Sequence, residues 1–235
     1  MPVENARKFD FQEDWFELIR AEWETKTAPL QGLRLRVLEL GSFEGRSTTW
    51  ILNNLMDHPS SRMTAVDTFA GGMEHREPDS DGAGNGRYAL PSLEERFRRN
   101  VSRCEHAANK LRVLKMSSDD ALLQLRQEGC RFDFIYIDAS HVAIDVLHDA
   151  VLSWRMLEEG GSLVFDDYSW QGYLEDCYNP RIAIDSFISC AAPEAETEET
   201  ESQLWVRKVK NHIPATPNPD PALYYWDKGL AKKSH

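Results

Sequence analysis

The sequence predicts an α/β fold, a doubly wound and mostly parallel seven-stranded sheet with helices on both faces. Three observations carry this expectation. Short apolar runs alternate with helix-period segments along most of the 235 residues, and such alternation builds strand–helix–strand units around a covered parallel sheet. The run Leu38-Glu39-Leu40 enters Gly41-Ser42-Phe43-Glu44-Gly45-Arg46-Ser47, a strand passing through a glycine-bearing turn into a helix. Two later apolar runs end in carboxylates, Tyr136-Ile137-Asp138 and Val164-Phe165-Asp166-Asp167. In an open parallel sheet such strand ends share one crevice with the glycine turn.

The elements follow in order. Phe11, Trp15, Ile19 and Trp23 recur every four residues, which predicts an amphipathic helix and makes residues 1–30 a helical cap on a body spanning 31–211. Residues 33–40 are expected as the first strand and 47–56 as the next helix. A second strand over 63–66 ends in Asp67. The polar, glycine-rich stretch 69–88 is too long for a plain connection and is expected as a lid. It contains Asp79-Ser80-Asp81-Gly82 but lacks the closing acidic residue of a calcium loop. Residues 92–104 read as a helix, 111–116 as a strand, 119–128 as a helix and 132–137 as a strand. A helix then runs to 158 and is expected to stop at Gly160-Gly161. Residues 162–165 and 204–209 read as strands flanking a helix over 180–188. The acidic run Glu194, Glu196, Glu198, Glu199 and Glu201 reads as an exposed turn. Residues 212–235 form a proline-rich tail ending in aromatics, Tyr224-Tyr225-Trp226.

Composition narrows the function. A formal charge of −12 disfavours nucleic acid, whose binding depends on basic residues neutralising phosphates. Arg96, Arg98, Arg99 and Arg103 cluster, but beside Glu94, Glu95 and Glu105, so a solvated helix face is expected. No apolar run approaches the roughly 20 residues that span a bilayer. The first residues lack the order of a signal peptide, and a cytoplasmic location is expected. Cys104, Cys130, Cys177 and Cys190 are scattered and read as buried reduced thiols. A small-molecule substrate fits the balance. Trp15, Trp23 and the aromatic tail are candidates for a homodimer contact.

At the first strand end, Gly41 and Gly45 remove side chains where the backbone must turn and approach a ligand. Amides opening the next helix can face an anionic group. Asp67, 28 residues after Glu39, stands where an acidic residue accepts hydrogen bonds from ribose hydroxyls. Glu39 reads either as a ligand to the cofactor or as a carboxylate holding the turn.

The string Glu39 to Ser47 resembles motif I of class I S-adenosylmethionine-dependent methyltransferases, in the branch of catechol- and caffeoyl-CoA-type O-methyltransferases. Val66-Asp67-Thr68-Phe69-Ala70-Gly71-Gly72, Asp138-Ala139-Ser140-His141 and Phe165-Asp166-Asp167-Tyr168-Ser169-Trp170 are similar to a group that includes macrolide-sugar O-methyltransferases. The resemblance implies a Rossmann-like fold and S-adenosylmethionine as cofactor. It implies that Gly41, Ser42, Phe43 and Gly45 line the methionine part, with Ser47 and Thr68 also in the cofactor site. Asp67 would bind the ribose, Ser117, Ser118 and Asp119 would lie against the adenine, and Glu39 would reach the ammonium through water or hold the turn. Asp138 would border both cofactor and acceptor.

Three convergent carboxylates, Asp138, Asp166 and Asp167, would repel one another and raise their own pKa values. A hard divalent cation such as Mg²⁺ resolves that, and the acids are the candidate ligands. His141 is the candidate general base, with Asp138 beside it as the second catalytic residue. Tyr168 and Trp170 are expected to wall the acceptor pocket. The expected activity is methyl transfer to a hydroxyl of a small molecule. Rival readings are a metal-free methyltransferase of a nitrogen or carboxyl acceptor, a non-catalytic cofactor-binding protein, and a nicotinamide-dependent oxidoreductase. The missing Gly-x-Gly-x-x-Gly disfavours the last.

Overall fold

The strand interiors dictate the layering. Leu38 and Leu40 of β1 (Arg36–Leu40), Ile135 and Ile137 of β4 (Phe132–Ile137), and Leu163 and Phe165 of β5 (Leu157–Phe165) enter one core. Their alternating neighbours Val37, Phe134, Tyr136 and Val164 enter another. Strands apolar on both faces need cover on both. In the computed structural model, which describes residues 9–12, 14–72 and 90–210, helices supply it. Ala121, Leu122 and Leu125 of α5 (Ser118–Gln127), Val146 and Trp154 of α6 (Ala143–Met156), and Ile184 and Phe187 of α7 (Pro180–Ala191) fill the first core. The second core takes Trp23 of α1 (Phe16–Thr27), Trp50 and Ile51 of α2 (Arg46–Asn54) and Phe97 of α3 (Leu93–Val101). A single turn, α4 (Ala107–Lys110), leads into β3 (Leu111–Lys115).

With β2 (Arg62–Asp67), β6 (Ala195–Glu199) and β7 (Leu204–Lys208), the sheet has seven strands in the order β3-β2-β1-β4-β5-β7-β6. The first five are parallel, while β7 pairs antiparallel with both β5 and β6. This is the doubly wound, Rossmann-like sheet the sequence predicts. Strand order reverses between β1 and β4, so a crevice opens beyond their carboxyl ends. Local chemistry starts the helices there. Ser117 caps α5 by accepting from the Asp120 amide at 3.2 Å. Ahead of α6, Ser140 Oγ accepts from the Val142 amide at 3.1 Å and donates to Asp145 at 2.8 Å.

Several expectations need correction. The N-terminal helix begins at Phe16, and its buried residues are Phe16, Trp23 and Thr27 rather than a Phe11–Trp15–Ile19–Trp23 stripe. Trp23 is completely buried among Phe16, Trp50, Phe134, Tyr136 and Trp205, which removes it from any subunit contact. Gly160-Gly161 do not stop a helix. α6 ends at Met156, and the chain enters β5 directly through an irregularity where the pairing jumps from Phe132–Leu157 to Phe134–Ser162. Gly160 supplies the positive φ of 82° there. The acidic run is an edge strand, β6, not a turn. Its exposed glutamates pair with β7 on one side only, and charge on an edge discourages further strand addition.

Arg96 leaves the solvated face expected of its cluster. It is buried, and its Nε donates to Glu44 Oε1 at 2.8 Å, while Arg98 and Arg99 pair outside with Glu94 and Glu95. Cys104 is buried, but Cys177 and Cys190 are exposed free thiols. Among the described residues no helix is long and apolar enough to cross a membrane. Asp79-Ser80-Asp81-Gly82, most of the expected lid and the Tyr224-Tyr225-Trp226 tail lie outside the described residues.

Candidate active site

Gly41 closes β1 with φ of 84°, and Gly45 repeats that value at the start of α2. Between them, Phe43 holds φ of 42°, a conformation that costs a non-glycine residue about 1–3 kcal/mol. Asp67 at the end of β2 supports it. Its Oδ2 accepts the Ser42 and Phe43 amides at 2.8 Å each, and its Oδ1 accepts the Phe69 amide at 2.6 Å. A carboxylate offers about four acceptor positions, so Asp67 ties the turn to β2 and keeps capacity for a hydroxyl.

Glu39 lies under the turn, fully buried. The hydroxyls of Ser42, Ser47 and Thr48 all donate to it. Of the two roles open for Glu39, the structure supports the carboxylate that holds the turn. Burial pushes its pKa up to about 7 from 4.5, the three hydroxyls pull it down, and the Asp67 charge raises it further. A folded-state pKa above the unfolded one gives stability that is fully present below about 4.5 and lost as pH rises through about 7. Glu39→Gln is therefore expected to flatten the pH dependence of unfolding. Urea denaturation at pH 5 and pH 8 should show the wild-type protein losing more stability than the variant, by on the order of 3 kcal/mol.

The second half of the site is acidic. Asp138 follows β4, and Asp166 and Asp167 follow β5. Burial first, then the Asp166 and Asp167 charges, hold Asp138 well above the usual carboxylate range. Asp166 is raised to about 6 by burial and by Asp167. Tyr136 donates its hydroxyl to Asp138 at 3.1 Å. His141 Nε2 lies 2.7 Å from Asp167 Oδ2, and Trp170 stacks on the imidazole with centroids 4.6 Å apart. Asp167 takes a left-handed φ of 53°, which turns its carboxylate toward His141. Donor atoms of Asp138, His141 and Asp167 lie within 4.8 Å of one another. The carboxylate oxygens of Asp138 and Asp166, whose ionisation burial and neighbouring charge resist, fit a hard divalent cation.

Asp166 stands differently from its two partners. The Gln203 side-chain amide donates to Asp166 Oδ1 at 2.6 Å. The carbonyl of the same Gln203 accepts the indole N–H groups of Trp23 and Trp205 at 3.0 and 3.2 Å. Two donors on Oε1 fix the amide's orientation, so Nε2 must face the carboxylate. The α1 helix thereby reaches the acidic cluster through one buried glutamine.

One cavity of about 790 Å³ joins both halves, within the range of small-molecule sites. Gly41, Ser42, Phe43, Ser47, Asp67 and Thr68 line one end. Ser117, Ser118 and Asp119 form a second wall, and Asp138, His141, Asp166, Asp167 and Trp170 a third. Glu39, Gly45 and Tyr168 are not among the lining residues. Gly45 packs under Phe97. Tyr168 is buried and donates to Asp185 at 2.7 Å, which corrects its expected place in the acceptor wall. Sequence reasoning missed Tyr136, Gln203 and the contribution of α1, whose Leu18 and Ile19 line the cavity together with Trp15 just ahead of the helix. The four-residue apolar period was a signal for that last group, since Trp15 and Ile19 belong to it, Trp15 half exposed and Ile19 only partly buried at the edge of the second core.

Residues 38–168 match the family model described as "Methyltransferase domain". No curated protein sequence matches the chain. Among solved structures, a cofactor-bound protein from MTB, Rv0187, aligns with a TM-score of 0.57 at 19% identity, over 81% of each chain. The O-methyltransferase TomG from Streptomyces achromogenes, involved in tomaymycin synthesis and solved with SAM, aligns at 0.52 with 16% identity over 83% of this chain and 79% of its own. The mycinamycin-pathway methyltransferase MycE, solved with Mg, SAH and mycinamycin VI, aligns at 0.54 with 14% identity over 85% of this chain. The alignment spans only 51% of MycE.

Proposed function

The chain belongs to the methyltransferase domain family, and from that premise we propose that it transfers the methyl group of S-adenosylmethionine to a hydroxyl of a small molecule. One observation carries this reading: a single cavity is bounded by the glycine turn at one end and by the Asp138–His141–Asp167 group at another. A nucleoside cofactor and an acceptor held in that space would meet at the cluster. The cofactor supplies an activated methyl on a sulfonium.

The protein's own contribution is positioning and proton management. Ser42, Phe43 and Asp67 shape the turn against which the cofactor's amino-acid and ribose parts would rest. Trp170, stacked on the His141 ring, shields the acceptor side from water, and Trp15 stands against Phe43 of the turn. His141 Nε2–H donates to Asp167 Oδ2 across 2.7 Å, so the acceptor's proton passes to the lone pair of Nδ1 and the Asp167 charge stabilises the resulting imidazolium. A divalent cation, if bound, would be held by Asp138 and Asp167 with Asp166 adjacent, and would supply Lewis-acid stabilisation of a developing alkoxide. MycE, of the same fold, binds both Mg and SAH, which supports the combination here.

Calorimetric titration with S-adenosylhomocysteine is expected to show one site per chain. Absence of heat at high micromolar ligand would overturn the cofactor assignment. Turnover compared with and without chelator separates the two chemical variants. Loss of activity in chelator supports the cation, and undiminished activity supports His141 acting alone.

A further inference from the structure

A second cluster of ligating side chains lies at the seam between α5 and α6, apart from the acidic strand tips. Asp119 stands in the first turn of α5, and His148 and Asp149 are consecutive on α6. His148 Nδ1 is 2.7 Å from Asp119 Oδ1 and 3.7 Å from Asp149 Oδ1. One donor atom from each residue falls within 4.8 Å of the other two.

Asp149 makes the cluster more than a surface ion pair. Its side chain is 1% exposed, and neither carboxylate oxygen meets a donor in hydrogen-bonding geometry. A buried carboxylate left without well-placed donors is costly, and native proteins rarely keep one without an ion or water to answer it. Protonated His148 offers one positive charge, but Asp119 already claims it at the shorter distance, so two carboxylates would share one cation. Ser118 and His148 approach the carboxylate without closing a well-aligned hydrogen bond, and burial resists its charge more strongly than they favour it.

We propose that Asp119, His148 and Asp149 bind a divalent transition-metal ion of the zinc type. One imidazole nitrogen and two carboxylate oxygens suit Zn²⁺ better than Mg²⁺ or Ca²⁺, which prefer all-oxygen shells. Two carboxylates and a neutral imidazole also balance its charge. Asp119 is more than half exposed, which leaves an entry path and room for water ligands. The ion would staple the first turn of α5 to α6. That turn carries Ser118 and Asp119, which also line the main cavity, so the staple would stiffen one of its walls. The inference is independent of the methyl-transfer reading.

The test is equilibrium dialysis of metal-stripped full-length protein against Zn²⁺, with His148→Gln, Asp149→Asn and, as a control on the acidic cluster, His141→Gln. The expected result is one zinc equivalent lost in both seam variants and retained in His141→Gln. Equal zinc content in wild type and both seam variants would overturn the proposal. Metal-free Asp149→Asn should unfold no earlier than wild type at pH 8, since it removes an uncompensated buried charge. A measurement on the unsubstituted protein needs no variant to fold. The His148 imidazole resonances should move on addition of zinc, and resonances unmoved at excess zinc would likewise refute the site.

Discussion

Gly41→Ala is expected to cost the protein at least about 100-fold in S-adenosylhomocysteine affinity and to lower its thermal midpoint. A Cβ at this position would lie 1.7 Å from the Asp138 carbonyl oxygen, 2.4 Å from its carbon and 2.7 Å from Ala139 Cα. All three atoms are backbone, so no side chain can swing aside. The surrounding hydrogen bonds resist movement, because Asp138 N donates to Leu40 O at 2.8 Å and Gly41 N donates to Val66 O at 2.9 Å. The left-handed φ of 84° adds its own penalty. Roughly 1–2 kcal/mol for the conformation and about 1–3 kcal/mol for forced overpacking give a total near 2–5 kcal/mol. At about 1.4 kcal/mol per factor of ten, even part of that, spent on prying β1 from β4, removes the crevice. Gly32→Ala is the control. Its φ is 75° but nothing lies within 4 Å of the added Cβ, so a small loss of stability with unchanged ligand affinity is expected. Calorimetry and thermal unfolding on both variants check the contrast, and wild-type affinity in Gly41→Ala would show that the turn can relax.

That contrast illustrates what the sequence made legible. Gly41 and Gly45 stood out because an apolar strand, two glycines and a helix start are compressed into ten residues, which forces a tight turn at a strand's carboxyl end. The central strands β1 and β4 were equally plain, because residues buried on both faces leave continuous apolar runs. β6 was hidden for the opposite reason. As an exposed edge strand it has no apolar face, and its five residues carry three glutamates, so nothing local distinguished it from a turn. Gly160 misled because a glycine after a helix usually ends it, whereas here β4 pairing takes over four residues earlier. At the site, legibility tracked distance along the chain. Of the Glu39 hydroxyl partners, positions 42 and 47 lie inside the motif and 48 directly follows it. Gln203, by contrast, meets Asp166 and Trp23 across 37 and 180 residues, and no periodicity encodes such a contact. Arg96 belongs with it, since its burial depends on the Glu44 carboxylate 52 residues away.

His141→Ala is the second large effect expected, a fall in kcat of roughly 10²- to 10⁴-fold, the usual contribution of a positioned general base. That corresponds to about 3–5 kcal/mol of transition-state stabilisation. Cofactor-product affinity should stay near wild type, because the imidazole is engaged by Asp167 and Trp170 rather than by the glycine turn. Two readouts separate a proton acceptor from a wall residue. If His141 takes the proton, kcat falls with little change in KM, and the pH dependence of kcat in the wild type is lost in the variant. If it only shapes the pocket, KM rises while kcat and its pH profile persist. Asp167→Asn refines the assignment. Asparagine tolerates the left-handed φ of 53° at this position, so the backbone should hold while the negative charge beside the imidazolium is lost. Its kcat is expected between wild type and His141→Ala in chelator, where only the base operates. A deeper loss in Asp167→Asn than in His141→Ala, restored by raising the cation concentration, would move the principal burden from the histidine to a metal held by the carboxylates.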